Sequence, residues 1–136
     1  MSDKFDAMLQ EIVNYDYPQL LAGAKATLAD AFQIFSRFGN KDQATAGVIG
    51  FLASAIAIDN SFSAKEQQLI KDLFGDVDFM SILRTINADT INTLDKIVDS
   101  LPPEDKSTLC LLAIYVLAVD EHINKEEYRY LMKLID

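Results

Sequence analysis

Two aspartates, Asp59 and Asp120, occupy equivalent places in a repeated pattern, and the residues with chemical potential cluster around them. Leu52-Ala53-Ser54-Ala55-Ile56-Ala57-Ile58 precedes the first, and Ala113-Ile114-Tyr115-Val116-Leu117-Ala118-Val119 precedes the second. After each come two polar residues, then an apolar one (Phe62 or Ile123), then a capping type (Ser63 or Asn124), and three further on Glu66 or Glu127. The shared pattern is Asp-x-x-apolar-[Ser/Asn]-x-x-Glu. An acid at the C-terminal end of an apolar helix meets the negative end of the macrodipole, at a cost of about 0.3–1 kcal/mol. A local conflict accepted twice marks a functional site more often than a random one. A pseudo-twofold that brought the two turns together would pair the carboxylates. Paired carboxylates with polar neighbours suit a hard divalent cation, calcium, magnesium or manganese, with water or backbone carbonyls completing the shell. Asp59 and Asp120 are then the principal candidate ligands, with Glu66, Glu127 and His122 close by.

Every one of these residues also has a purely structural reading. Ser63-x-x-Glu66 and Asn124-x-x-Glu127 are capping boxes, in which side chain and backbone satisfy each other's orphan amides. Ile123 and Tyr128 are spaced as a hydrophobic staple across the second of them. The aspartates can close Asx-turns onto the amides that follow. His122 fits an auxiliary ligand or a pH-sensitive turn histidine exposed to solvent.

Other chemistries are excluded by count and spacing. A calcium EF-hand needs Gly sixth and Glu twelfth in its loop; counted from Asp59 those places hold Ala64 and Ile70, and from Asp120 they hold Lys125 and Leu131. Di-iron bundles need Glu-x-x-His, whereas Val119 stands three before the single histidine, His122. One Cys and one His cannot make a zinc site. No Gly-rich phosphate loop and no Ser/His/Asp set is apparent. The expectation is a protein that is not an enzyme.

The elements that position these residues read as helices throughout. Phe5, Met8, Leu9, Ile12 and Val13 recur at helical spacing. Asn14-Tyr15-Asp16-Tyr17-Pro18 interrupts, and Pro18 suits the first turn of a long second helix that Gly39-Asn40 ends with a left-handed cap. Asp42 is placed to cap a third helix that runs to about Ile58 and, being apolar all round, should be central. Ser63 opens a fourth helix and Gly75 closes it. Residues 78–87 and 89–99 predict two more, with Asp89 as N-cap. Pro103-Glu104-Asp105 opens a second central helix reaching about Val119, and Asn124 caps the last. The apolar faces of the two repeats match, Ile70 with Leu131, Leu73 with Leu134, Phe74 with Ile135. The predicted fold is all-α: one compact domain over residues 1–136, of seven or eight helices, with two pseudo-symmetric helix pairs at about 42–75 and 103–136.

Composition supports that frame. Of 136 residues, 50% are hydrophobic, with 8 Phe and 5 Tyr for a core but only 5 Gly and 3 Pro, too few for a turn-rich β domain. The lone Cys110, within Leu109-Cys110-Leu111-Leu112, can make no internal disulfide and reads as a small core residue. With 12 basic against 21 acidic residues the formal charge is −9, which repels nucleic acid and anionic membranes and attracts cations or basic partner surfaces. The longest uncharged run, Gln43 to Ile58, is 16 residues, short of the roughly 20 that span a bilayer. With no secretory pattern at the N-terminus, the expectation is a cytoplasmic protein that does not insert into membranes. A protein partner is expected; the sequence sets no oligomeric state.

In these segments the chain resembles the TerB-like family, named for a tellurite-resistance protein. The matching stretches are Leu52 to Asp59 with Phe62-Ser63-Ala64-Lys65-Glu66, and Leu117-Ala118-Val119-Asp120 with Ile123-Asn124-Lys125-Glu126-Glu127. Together the two helix pairs make up about half the chain. The family usually has Gly after the Asp; Asn60 and Glu121 stand there instead. The resemblance implies an all-helical fold, a divalent-cation site made by the aspartates, association with stress-response or membrane-linked assemblies, and no enzymatic activity. The alternative is a metal-free helical interaction module that takes a basic or apolar partner in an exposed groove.

Overall fold

The apolar spacing of the chain folds as helices, and the computed structural model describes residues 2–37, 39–56, 63–75, 81, 88–120 and 123–135. Seven α-helices lie among them: α1 (Ser2–Val13), α2 (Tyr17–Ser36), α3 (Lys41–Ile56), α4 (Ala64–Phe74), α5 (Ala88–Asp99), α6 (Pro103–Leu117) and α7 (Lys125–Ile135). A 3-10 turn, Ala118–Asp120, extends α6. No strand occurs among the described residues, and the fold is all-α around one core. Of the predicted helix at 78–87 only Ser81, which is helical, is described, and the end of the third helix at Ala57 and Ile58 lies outside the described residues.

α3 and α6 are central, as the apolar composition of their C-terminal parts requires. α3 buries Val48, Ile49, Phe51, Leu52, Ala53, Ala55 and Ile56 on every side, and α6 buries Leu109, Leu112, Ala113, Ile114, Val116 and Leu117. α2 packs along both of them, α5 packs on α3, and α7 packs on α6. The α2–α6 approach is close: a Cβ at Gly23 would run into the ring of Tyr115, so only glycine fits there without repacking. Cys110 is buried, with its thiol directed at the Leu131 carbonyl (3.6 Å), and burial pushes that thiol up to about 12. It is a neutral core residue, not a nucleophile.

Several boundaries differ from the sequence expectations. α2 starts at Tyr17 because Asp16, with Gln19, forms a complete capping box. It ends at Ser36, where Arg37 in right-handed geometry donates back to Ile34 (3.3 Å). The helix therefore ends ahead of Gly39-Asn40, the pair expected to cap it, and is closed by a 3-10-type bond. α3 starts at Lys41, which places Asp42 inside its first turn and not at the cap; the Asn40 carbonyl accepts from Ala44 (2.9 Å). Asp89 likewise lies within the first turn of α5, which begins at Ala88. Asp favours both positions, since cap and first turn share the positive end of the dipole. Gly75 closes α4 at φ 75°, as expected.

Long-range polar contacts fix the outer helices. Tyr128 on α7 donates to Asp6 on α1 (2.7 Å) and stacks edge-on against Phe5, 5.8 Å between ring centres. Arg37 pairs with Asp105 (2.6 Å), joining the end of α2 to the start of α6. Tyr17 on α2 donates its hydroxyl to Asp72 on α4. Burial first, then the bond to Asp72, pushes the Tyr17 phenol up to about 12, and the same bond holds the Asp72 carboxyl below its usual range. A phenol raised in the folded state stabilises the fold fully below its unfolded value of 10, and that contribution disappears as pH rises through 12. Thermal melts of the native protein and Tyr17→Phe should therefore differ at pH 8 and converge between pH 10 and 12. A gap constant to pH 12 would mean that Tyr17 does not hold α4 in place.

Candidate functional site

Both capping boxes form, and in the same way. In α4 the Ser63 Oγ accepts from the Glu66 amide (3.1 Å) while Glu66 Oε1 accepts from the Ser63 amide (2.9 Å). In α7 the Asn124 Oδ1 accepts from the Glu127 amide (2.8 Å) while Glu127 Oε1 accepts from the Asn124 amide (3.0 Å). Glu66 is 2% exposed and Glu127 5%. Each buried carboxylate thus has one oxygen committed to a helix N-terminus, where the positive end of the dipole also favours it.

Asp120 closes the 3-10 turn at the end of α6 and is half-buried. Its Oδ1 accepts from Ser63 Oγ at 2.6 Å. This bond joins the two halves of the repeat: the acid after the second central helix is held by the cap of the helix that follows the first. Ser63 is at once the acceptor for the Glu66 amide and the donor to Asp120, so Glu66 and Asp120 share one hydroxyl. Charge-assisted O–H···O⁻ bonds of this length are among the stronger neutral-to-ion contacts. They offset the macrodipole penalty that the position of Asp120 carries.

Of the five candidate ligands, three are therefore placed. Glu66 and Asp120 are brought together through Ser63, and Glu127 sits at the second box, in the element that follows Asp120. Asp59 and His122 lie outside the described residues. Among the described residues no group of three or more His, Cys, Asp or Glu side chains is arranged to hold a metal ion. The hard oxygen donors suit a calcium- or magnesium-type cation in kind.

The two helix pairs agree in local detail and differ in surroundings. α4 and α7 have 11 residues each, both begin with a capping box, and both bury the glutamate of that box. Yet α7 lies along α6, whereas α4 has α2, α6 and the 3-10 turn as its principal neighbours. The role of Ser63 as a bridge between turns has no signal in the sequence, where its place in a capping box explains it completely. The Tyr17–Asp72 contact is equally silent there.

Among the described residues no helix is long and apolar enough to cross a membrane. Comparison of the chain with family models, curated proteins and solved structures finds no match.

Proposed function

We propose that this chain is a TerB-like, non-enzymatic binding domain whose two repeat turns respond to a divalent cation, and that it acts through a protein partner in a stress-response or membrane-associated assembly. The observation that carries the reading is the Ser63 Oγ–Asp120 Oδ1 bond, because a cation site shared between the repeats requires the two turns to meet. The matching Asp-x-x-apolar-[Ser/Asn]-x-x-Glu segments and the formal charge of −9 support it. In this reading Asp59 and Asp120 are the principal ligands, Glu66 and Glu127 fix the turns through their boxes, His122 is the candidate auxiliary ligand, and water completes the shell. Two carboxylates make an open site of modest affinity.

Thermal melting tests it. Calcium, magnesium or manganese should raise the midpoint relative to EDTA, because a ligand that binds only the native state stabilises it by mass action. The Asp59→Asn/Asp120→Asn variant keeps acceptor oxygens but loses the charge, and its midpoint should not move with metal. Equal stabilisation of both proteins, or of neither, would show that the aspartates serve turn structure alone and would leave the metal-free interaction module as the reading.

A further inference from the structure

α5 and α7 flank the C-terminal half of α3 and enclose a pocket of about 250 Å³. Each helix presents residues at i, i+3 and i+4 to it: Asp95, Val98 and Asp99 from α5, Tyr130, Lys133 and Leu134 from α7. Val98 and Leu134 are buried and give the pocket an apolar floor. Asp95, Asp99 and Lys133 are exposed at its rim, and none of the three has an ion-pair or hydrogen-bond partner among the described residues. The Tyr130 hydroxyl also lacks a hydrogen-bond partner there. Burial, then the charge of Asp95, pushes its ionisation far above the usual range, so it stays a neutral phenol. An apolar floor, a phenolic oxygen and two carboxylates one helical turn apart are complementary to a cation carried on an apolar stem.

We propose that this pocket binds a small free primary amine with a short aliphatic or aryl stem. The stem lies on Val98, Leu134 and the Tyr130 ring, and the ammonium is held by Asp95, Asp99 and the Tyr130 oxygen. The volume favours a small molecule over a folded partner, since it is below the roughly 300–1,000 Å³ of drug-sized sites. Two rim carboxylates against one lysine leave a net negative charge, which selects an amine over an acid. A zwitterion would instead use Lys133 for its carboxylate, and the two ligands respond oppositely to loss of that residue. The site is separate from the repeat turns and does not depend on the cation reading.

The test is titration of the full chain with n-hexylamine, followed by amide chemical shifts. A ligand of this size should bind with Kd of about 1 mM, with shifts centred on α5, α7 and the end of α3. n-Hexanol, which has the stem without the charge, should bind at least about fivefold more weakly. The Asp95→Asn/Asp99→Asn variant changes only exposed side chains and should lose about tenfold in affinity, while Lys133→Gln should gain about twofold. Equal binding of hexanol, an unchanged Kd in the double variant, weaker binding by Lys133→Gln, or shifts scattered over the acidic surface would each overturn the proposal. Nα-acetyl-lysine amide binding as tightly as hexylamine would assign the pocket to a protein's lysine side chain and would overturn the free amine as its occupant.

Discussion

Leu112→Ala should lower the stability of the fold by about 2–5 kcal/mol and the melting midpoint by roughly 10–20 °C. Leu112 has no exposed surface and sits on α6, the helix that α2 and α7 both pack against. Truncation removes transfer energy and leaves a cavity that helices packed on two sides cannot collapse into. The partner experiment is Ala55→Asp on α3, where the native residue is likewise wholly buried. There the cost is an unpaired charge in a last helical turn that carries no basic side chain, so the variant should fail to give a cooperative transition at all. Glu104→Ala, on the exposed first turn of α6, is the control and should stay within about 0.5 kcal/mol of the native protein. Denaturant unfolding measures all three. A Leu112→Ala protein as stable as the control would show that α6 is not central.

Ser63→Ala should cost about 2–3 kcal/mol, more than a cap alone. The cap bond to the Glu66 amide accounts for about 1 kcal/mol of it, and the bond to the Asp120 carboxylate, being charge-assisted, for about 1–2 more. Asp120→Ala loses the same cross-turn bond but is relieved of an acid at a helix C-terminus, so its net cost should be smaller. A double-mutant cycle between the two isolates what they share, because other contacts of Asp120 cancel in it. The coupling should be about 1–2 kcal/mol. Ser63→Ala combined with Tyr17→Phe, two changes in separate contacts, should instead be additive within about 0.5 kcal/mol. Coupling below about 0.3 kcal/mol between Ser63 and Asp120 would mean that the turns are neighbours without being joined.

The helices themselves were legible in the sequence, because period and punctuation are local properties. Leu9 and Ile12, Leu109 and Leu112, and Leu131 and Leu134 are spaced for one helical face, and all six are buried. The capping boxes at Ser63 and Asn124 were readable for the same reason, since donor and acceptor lie three residues apart. The misplaced starts of α3 and α5 show the limit of that reading: Asp42 and Asp89 are favoured at the cap and one turn inside it alike, and only the packed helix decides between them.

Partnerships across the chain were decided by the tertiary structure. Ser63 and Asp120 are 57 residues apart, Tyr17 and Asp72 are 55, and Tyr128 and Asp6 are 122. No spacing rule connects such residues; helix packing sets their distances. The repeat makes the same distinction most sharply. It determined that α4 and α7 would share a length, a cap and a buried glutamate, because those depend on about a dozen consecutive residues. It did not determine that α7 would lie along α6 while α4 would rest on α2, α6 and the 3-10 turn. Each repeat buries its apolar face against whatever the rest of the chain supplies, and among the described residues α1, α2 and α5 have no counterparts that would supply it symmetrically.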